Sequence, residues 1–149
     1  MGNLYDYFAA ADDETAAGTF DLPGGPSVGG FDTVATKGID PSVQMGTLEE
    51  LLTGRPYEEV IEDDRWGEPI DPGDEEAEHG VVTLTGTLAT ALAISDRDRL
   101  AEVAVPWSQT EEFWGQGDPE ALTEFLGELS GLARRAQEKG HGLYCWWSL

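Results

Sequence analysis

Apolar residues recur along this chain with two periods, and the period distinguishes helix from strand. The strongest signal lies near the C-terminal end. Leu122, Phe125, Leu126, Leu129, Leu132, Ala133 and Ala136 keep the 3.6-residue spacing of one helix face, which predicts a long amphipathic helix. Asp118 suits its N-cap, Pro119 its first position and Gly140 the left-handed residue beyond its end. Glu120, Glu124 and Glu128 fall early, Arg134, Arg135 and Lys139 late, which complements the helix dipole. Gly127 and Gly131 inside this helix each cost about 1 kcal/mol relative to alanine, so a close packing contact is expected to retain them. The run LYCWWSL over 143–149 predicts a strand with large groups on both faces. Such a strand needs cover on both sides, as a central strand has.

Weaker signals fill in the rest. Leu4, Tyr5, Tyr7 and Phe8 suit a strand, and 9–17 a short helix. The segment DLPGGPSVGG over 21–30 holds four glycines and two prolines and reads as a loop, followed by a strand over 31–36. Asp40-Pro41 marks a turn or helix start. Thr47 with Glu50 forms a capping box before a helix whose Leu48, Leu51 and Leu52 share one face, and Gly54 and Pro56 end it. A strand over 81–84 and a helix over 88–94 follow. Ser95 with Asp98 opens another helix that carries Leu100, Val103 and Ala104 and is stopped by Pro106. Ser108 with Glu111 repeats the signature before Phe113 and Trp114. The sum is a single α+β domain: a small mixed or antiparallel sheet of about four strands, packed by the amphipathic C-terminal helix and several shorter helices, ending in a C-terminal strand.

Composition changes this picture in one respect. The 149 residues are 40% hydrophobic, ordinary for a globular domain that folds without staples, but 30 acids stand against 8 bases for a net charge of -22. Residues 58–78 alone hold eleven acids and one base, so almost half the excess lies in 21 residues. With two prolines and two glycines, this stretch is expected to be an acidic loop or partly disordered insertion, in which Trp66 and Ile70 could anchor the middle. Charge of this sign repels nucleic-acid phosphates and anionic membranes, and it speeds association with a basic protein. General adaptation to salt would spread the acids more evenly, although the presence of only two lysines, Lys37 and Lys139, fits it. No apolar run of about 18 residues predicts a membrane helix, and the start, Met1 to Phe8, lacks the basic-then-apolar pattern of a signal peptide, so a cytoplasmic location is expected.

Candidate chemistry is sparse. Cys145, the only cysteine, lies between Tyr144 and Trp146 in an apolar strand, and extended chain would put His141 about 13 Å away. A buried, inert thiol is expected. His79 beside Glu75, Glu76 and Glu78 has the donor types for a weak divalent-cation site, without the alternating ligands of a calcium loop. GGPSVGG over 24–30 lacks the lysine of a phosphate loop and the spacing of a dinucleotide turn. No catalytic residue, cofactor or oligomeric state follows from these patterns.

The order of LTGTLATALAISDRDRLAEV, WSQTEEFWGQGD and ARRAQEKGHGLYCWWSL resembles the YfbM-like family of uncharacterised bacterial proteins over residues 80–149. LEELLTG at Leu48 to Gly54 and the opening aromatics Tyr5, Tyr7 and Phe8 are similar to that family too. A Trp-His segment before the LLTG stretch is missing, and the acidic run after Tyr57 does not align. The resemblance implies a compact cytosolic α+β domain and brings no catalytic residue with it.

The function expected from these residues is noncatalytic protein interaction. Glu58, Glu59, Glu62, Asp63, Asp64, Trp66 and Glu68 would meet a basic partner, with Trp66 as the hydrophobic centre, in the manner of an immunity or antitoxin-like inhibitor. Two other classes remain open: an enzyme or small-ligand binder using a cleft between helices and sheet, and an acidic surface that serves solubility or salt adaptation only.

Overall fold

Strand β1 (Leu4–Ala10) buries Tyr5, Tyr7 and Ala9 on one face and Phe8 and Ala10 on the other, so the sheet built on it must be covered twice. The computed structural model describes residues 4–71, 73, 78–113 and 115–149. With β2 (Thr33–Lys37), β3 (His79–Thr83) and β4 (Gly142–Ser148), β1 forms an antiparallel sheet of order β2-β1-β4-β3. Tyr7 stands opposite Cys145, and Cys145 opposite Val82. The C-terminal strand β4 is therefore interior, as its two-sided apolar run predicts.

The two faces differ in depth. Tyr5, Tyr7, Val82, Leu143 and Cys145 look into the larger core, which α2 (Gln44–Thr53), α4 (Gly86–Ile94), α5 (Arg97–Ser108) and α6 (Pro119–Lys139) complete. Every residue of the predicted stripe on α6 is buried, from Leu122 to Ala136. Phe8, Ala10, Val81, Tyr144 and Trp146 form the smaller core on the reverse face, which α1 (Asp13–Ala17), Phe20, Phe31 and Ile70 cover.

Several local signals resolve differently from their sequence reading. α2 starts at Gln44, and Thr47 lies inside it, its hydroxyl donating to the Gln44 carbonyl, so no capping box forms. Tertiary bonds fix this start instead: the Gln44 amide donates to the Gly38 and Glu112 carbonyls, and the Trp107 indole to the Gln44 carbonyl. Asp96, not Ser95, caps α5 by accepting from the Arg99 N–H, while the Ser95 hydroxyl closes α4 on the Ala91 carbonyl. Pro106 does not stop α5, which runs to Ser108. Near the end of a helix a proline removes only one backbone bond, and fully buried Trp107 holds the last turn. Ser108 caps nothing; its hydroxyl donates to Val105, and a 3-10 turn over Glu111–Phe113 follows. Trp114 lies outside the described residues. The expected tight contacts at Gly127 and Gly131 are not there: a Cβ at Gly127 would meet nothing within 4 Å, and one at Gly131 only the Arg135 guanidinium. Nothing in the structure explains Gly127.

Because Leu129 is fully buried between the helices and the sheet, Leu129→Ala should cost about 2–5 kcal/mol, the loss of transfer energy plus a cavity. Urea unfolding would measure it, with an exposed change such as Glu128→Ala as a near-neutral comparison.

Candidate functional site

The acidic stretch is built on the end of α2. Gly54, at φ 76°, turns the chain out of that helix, and Pro56 leads into a single helical turn, α3 (Tyr57–Val60). The Tyr57 N–H donates to the Glu50 carboxylate at 2.7 Å, which ties the new turn to the old helix. Val60 is fully buried and pins α3 inward, leaving Glu58 and Glu59 outward. Asp63 Oδ1 then accepts from the Arg65 N–H at 2.8 Å and folds the chain back. Beyond it the chain pairs with the outer edge of β3: Thr83 N–H donates to the Glu68 carbonyl, Ile70 N–H to the Val81 carbonyl, and Pro69 bridges Val82. The segment from Tyr57 to Asp71 is thus folded against the body, with Ile70 on the smaller core as an anchor.

Beneath α3 lies a carboxylate that the sequence did not single out. Glu49 of α2 is fully buried. One of its oxygens accepts from the Thr85 hydroxyl, the other from the Thr87 hydroxyl at 2.6 Å and from Arg55 Nη1 at 3.2 Å. Arg55 also donates to Asp63 at 3.0 Å and to the Glu59 carbonyl at 3.4 Å. One guanidinium therefore joins α2, α3 and the start of α4. Asp63 is held below the ordinary carboxylate range, chiefly by the Arg65 N–H and further by the Arg55 side chain.

Arg65 reaches the other way, to α1. Its two terminal nitrogens each donate to Asp13 at 2.8 Å, and the Tyr144 hydroxyl donates to the same carboxylate at 2.7 Å. Those donors, Arg65 first and Tyr144 second, bring the Asp13 carboxyl down to about 2. Burial, and then the facing Asp13 charge, pushes the Tyr144 phenol up to about 12.

Of the seven residues expected to meet a partner, Glu58, Glu59, Glu62, Asp64 and Glu68 are exposed. Asp63 is half-buried and engaged by Arg55. Trp66 is half-buried and packs on the larger core; a Cβ on Gly46 would stand 3.0 Å from its ring tip. The exposed apolar side chain among the acids is Ile61, at 41%. Of the candidate metal ligands, Glu75 and Glu76 lie outside the described residues, Glu78 is exposed, and the His79 ring stacks on Phe20 at 4.3 Å. Among the described residues no three His, Cys, Asp or Glu side chains converge on a metal position. Cys145 is fully buried, and burial drives its thiol pKa well above the ordinary value, so it carries its proton at neutral pH.

A cleft of about 310 Å³ opens where α4 begins and α6 ends, lined in part by Arg65, Thr85, Thr90, Gln137 and His141. Among the described residues its titratable lining groups are Arg65 and His141. No helix is long and apolar enough to cross a membrane among the described residues. Compared with protein-family models, curated proteins and solved structures, the chain has no match in any of the three.

Two outcomes follow from these contacts. Glu49→Ala leaves the Thr85 and Thr87 hydroxyls without their acceptor and Arg55 with Asp63 as its one remaining carboxylate, and should destabilise the fold by about 2–3 kcal/mol in urea unfolding. Asp13 has a depressed pKa in the folded state, so its contribution is present above the unfolded value and is lost as pH falls toward about 2. Acid unfolding followed by circular dichroism should accordingly show a shallower loss below about pH 4 in Asp13→Asn than in the native protein.

Proposed function

We propose that the protein is a cytosolic, noncatalytic interaction module that binds a basic protein through α3 and the turns that follow it, in the manner of an immunity or antitoxin-like inhibitor. The observation that carries this reading is an imbalance in pairing. Glu58, Glu59, Glu62, Asp64 and Glu68 are exposed with no cation in bridging distance among the described residues, while both arginines of the region are consumed, Arg55 by Glu49 and Asp63 and Arg65 by Asp13. Like charges crowded on one surface repel one another, and a partner rich in Lys and Arg relieves that repulsion as it binds. Such a surface raises the rate of encounter and rejects acidic competitors. Because the backbone beneath it is fixed by Val60, Asp63 and the pairing to β3, little ordering cost is added on binding.

The test compares the native protein with a variant carrying Glu58→Gln, Glu59→Gln, Glu62→Gln, Asp64→Asn and Glu68→Gln as baits in lysate of the source organism. Basic proteins held by the native bait at about 0.05 M salt should be lost at about 0.5 M, where screening shortens to a few Å, and lost from the variant at either. Equal recovery by both baits would overturn the reading.

A further inference from the structure

Between the end of α2 and the outer side of α4 runs a shallow groove of about 590 Å³. Leu52, Ala91 and Ile94 supply its apolar surface, and Arg55, Thr87 and Thr90 its polar one. Ile94 keeps 77% of its surface in water, more than any other large apolar side chain among the described residues. The groove leads to the acidic surface, since Arg55 in its wall bonds both the Glu59 carbonyl and the Asp63 carboxylate. α3 therefore stands at one end. The Arg55 charge is already met by two carboxylates, so the α3 end is negative through Glu58, Glu59 and Glu62.

We infer that this groove is the apolar anchor of the basic partner's docking site: it receives an amphipathic helix that lays aliphatic side chains on Leu52 and Ile94 and directs Lys or Arg toward Glu58, Glu59 and Glu62. The inference rests on the partner-binding reading of the acidic surface and adds to it where the buried contact lies. Charge selects the occupant. A second copy of this chain would bring -22 against -22, and nucleic acid or an anionic bilayer would be repelled in the same way. A helix seated between two helices buries its apolar stripe, and the acids at the α3 end draw the basic end of that helix toward them. Acids alone give encounter rate; a desolvated aliphatic contact gives residence time.

The probe is a labelled synthetic helical peptide with leucines on one face and lysines on the other, titrated by fluorescence anisotropy into the full-length protein at about 0.1 M salt. Ile94→Asp removes the most exposed apolar side chain of the groove and adds a negative charge. A binder held by charge alone would bind this variant at least as tightly. A five- to tenfold weakening is expected, together with a loss of at least tenfold in the Glu58→Gln, Glu59→Gln, Glu62→Gln variant. Thr90→Asp, also exposed in the groove, repeats the measurement if Ile94→Asp loses its native circular dichroism. Weakening by the three glutamines with no weakening by either aspartate would overturn the groove and leave the acidic surface standing. Undiminished binding by every variant would overturn both.

Discussion

A carboxylate buried without water must be matched atom by atom, and Glu49 sets that requirement at the junction of three helices. Two threonine hydroxyls and one guanidinium meet it. Thr85 and Thr87 come from the entry to α4, and Arg55 from the link between α2 and α3, so satisfying one side chain fixes the relative placement of all three elements. Thr85 serves twice, since its hydroxyl oxygen also accepts the Leu88 N–H as the cap of α4. The outward face of α3, and the groove beside α4, take their positions from this inward bond network. Among the described acids, the one that organises this corner of the fold is the fully buried one.

The remaining acids divide by the company they keep. Asp13 is held by Arg65 and Tyr144, and Asp32 by Arg135; these pairs join distant segments and are partly exposed, so each adds little by itself. Asp63, in the turns after α3, is held by Arg55, whereas Glu58, Glu59, Glu62, Asp64 and Glu68 have no such cation among the described residues. Electrostatic self-repulsion is tolerated in a stable domain and becomes favourable only when an opposite charge arrives. That difference separates structural carboxylates from those offered outward.

Much of the architecture was legible in the sequence. The α6 stripe, its caps at Asp118 and Gly140, and the two-sided strand β4 were readable because a long period or a two-sided apolar run leaves few alternatives. Shorter signals failed where tertiary bonds decided. Thr47 and Glu50 have the right spacing for a cap, but Gln44 and Trp107 set the start of α2 from positions far apart in sequence. Pro106 was read as a stop because local rules cannot see that Trp107 is buried. The site divides in the same way. Glu58, Glu59, Glu62, Asp64 and Glu68 announced themselves through charge density, whereas Glu49 sat in an ordinary helical LEELL pattern, and its burial depends on threonines more than thirty residues away. Ile94 carried no signal at all, since an apolar residue at a helix end looks the same whether it faces the core or water.

The strip from Glu68 to Asp71 has a second consequence. By pairing with β3 it occupies the hydrogen-bonding groups that an outermost strand would otherwise present, and Asp71 closes the row by accepting the Val81 N–H. An unpaired edge is a template for strand addition by another molecule. The acidic strip is therefore also a selvage, and it guards the sheet with charge as well as with backbone. A lesion that peels it away would unmask the edge, so that damage to this segment would surface as self-assembly into extended sheets as well as through any lost contact.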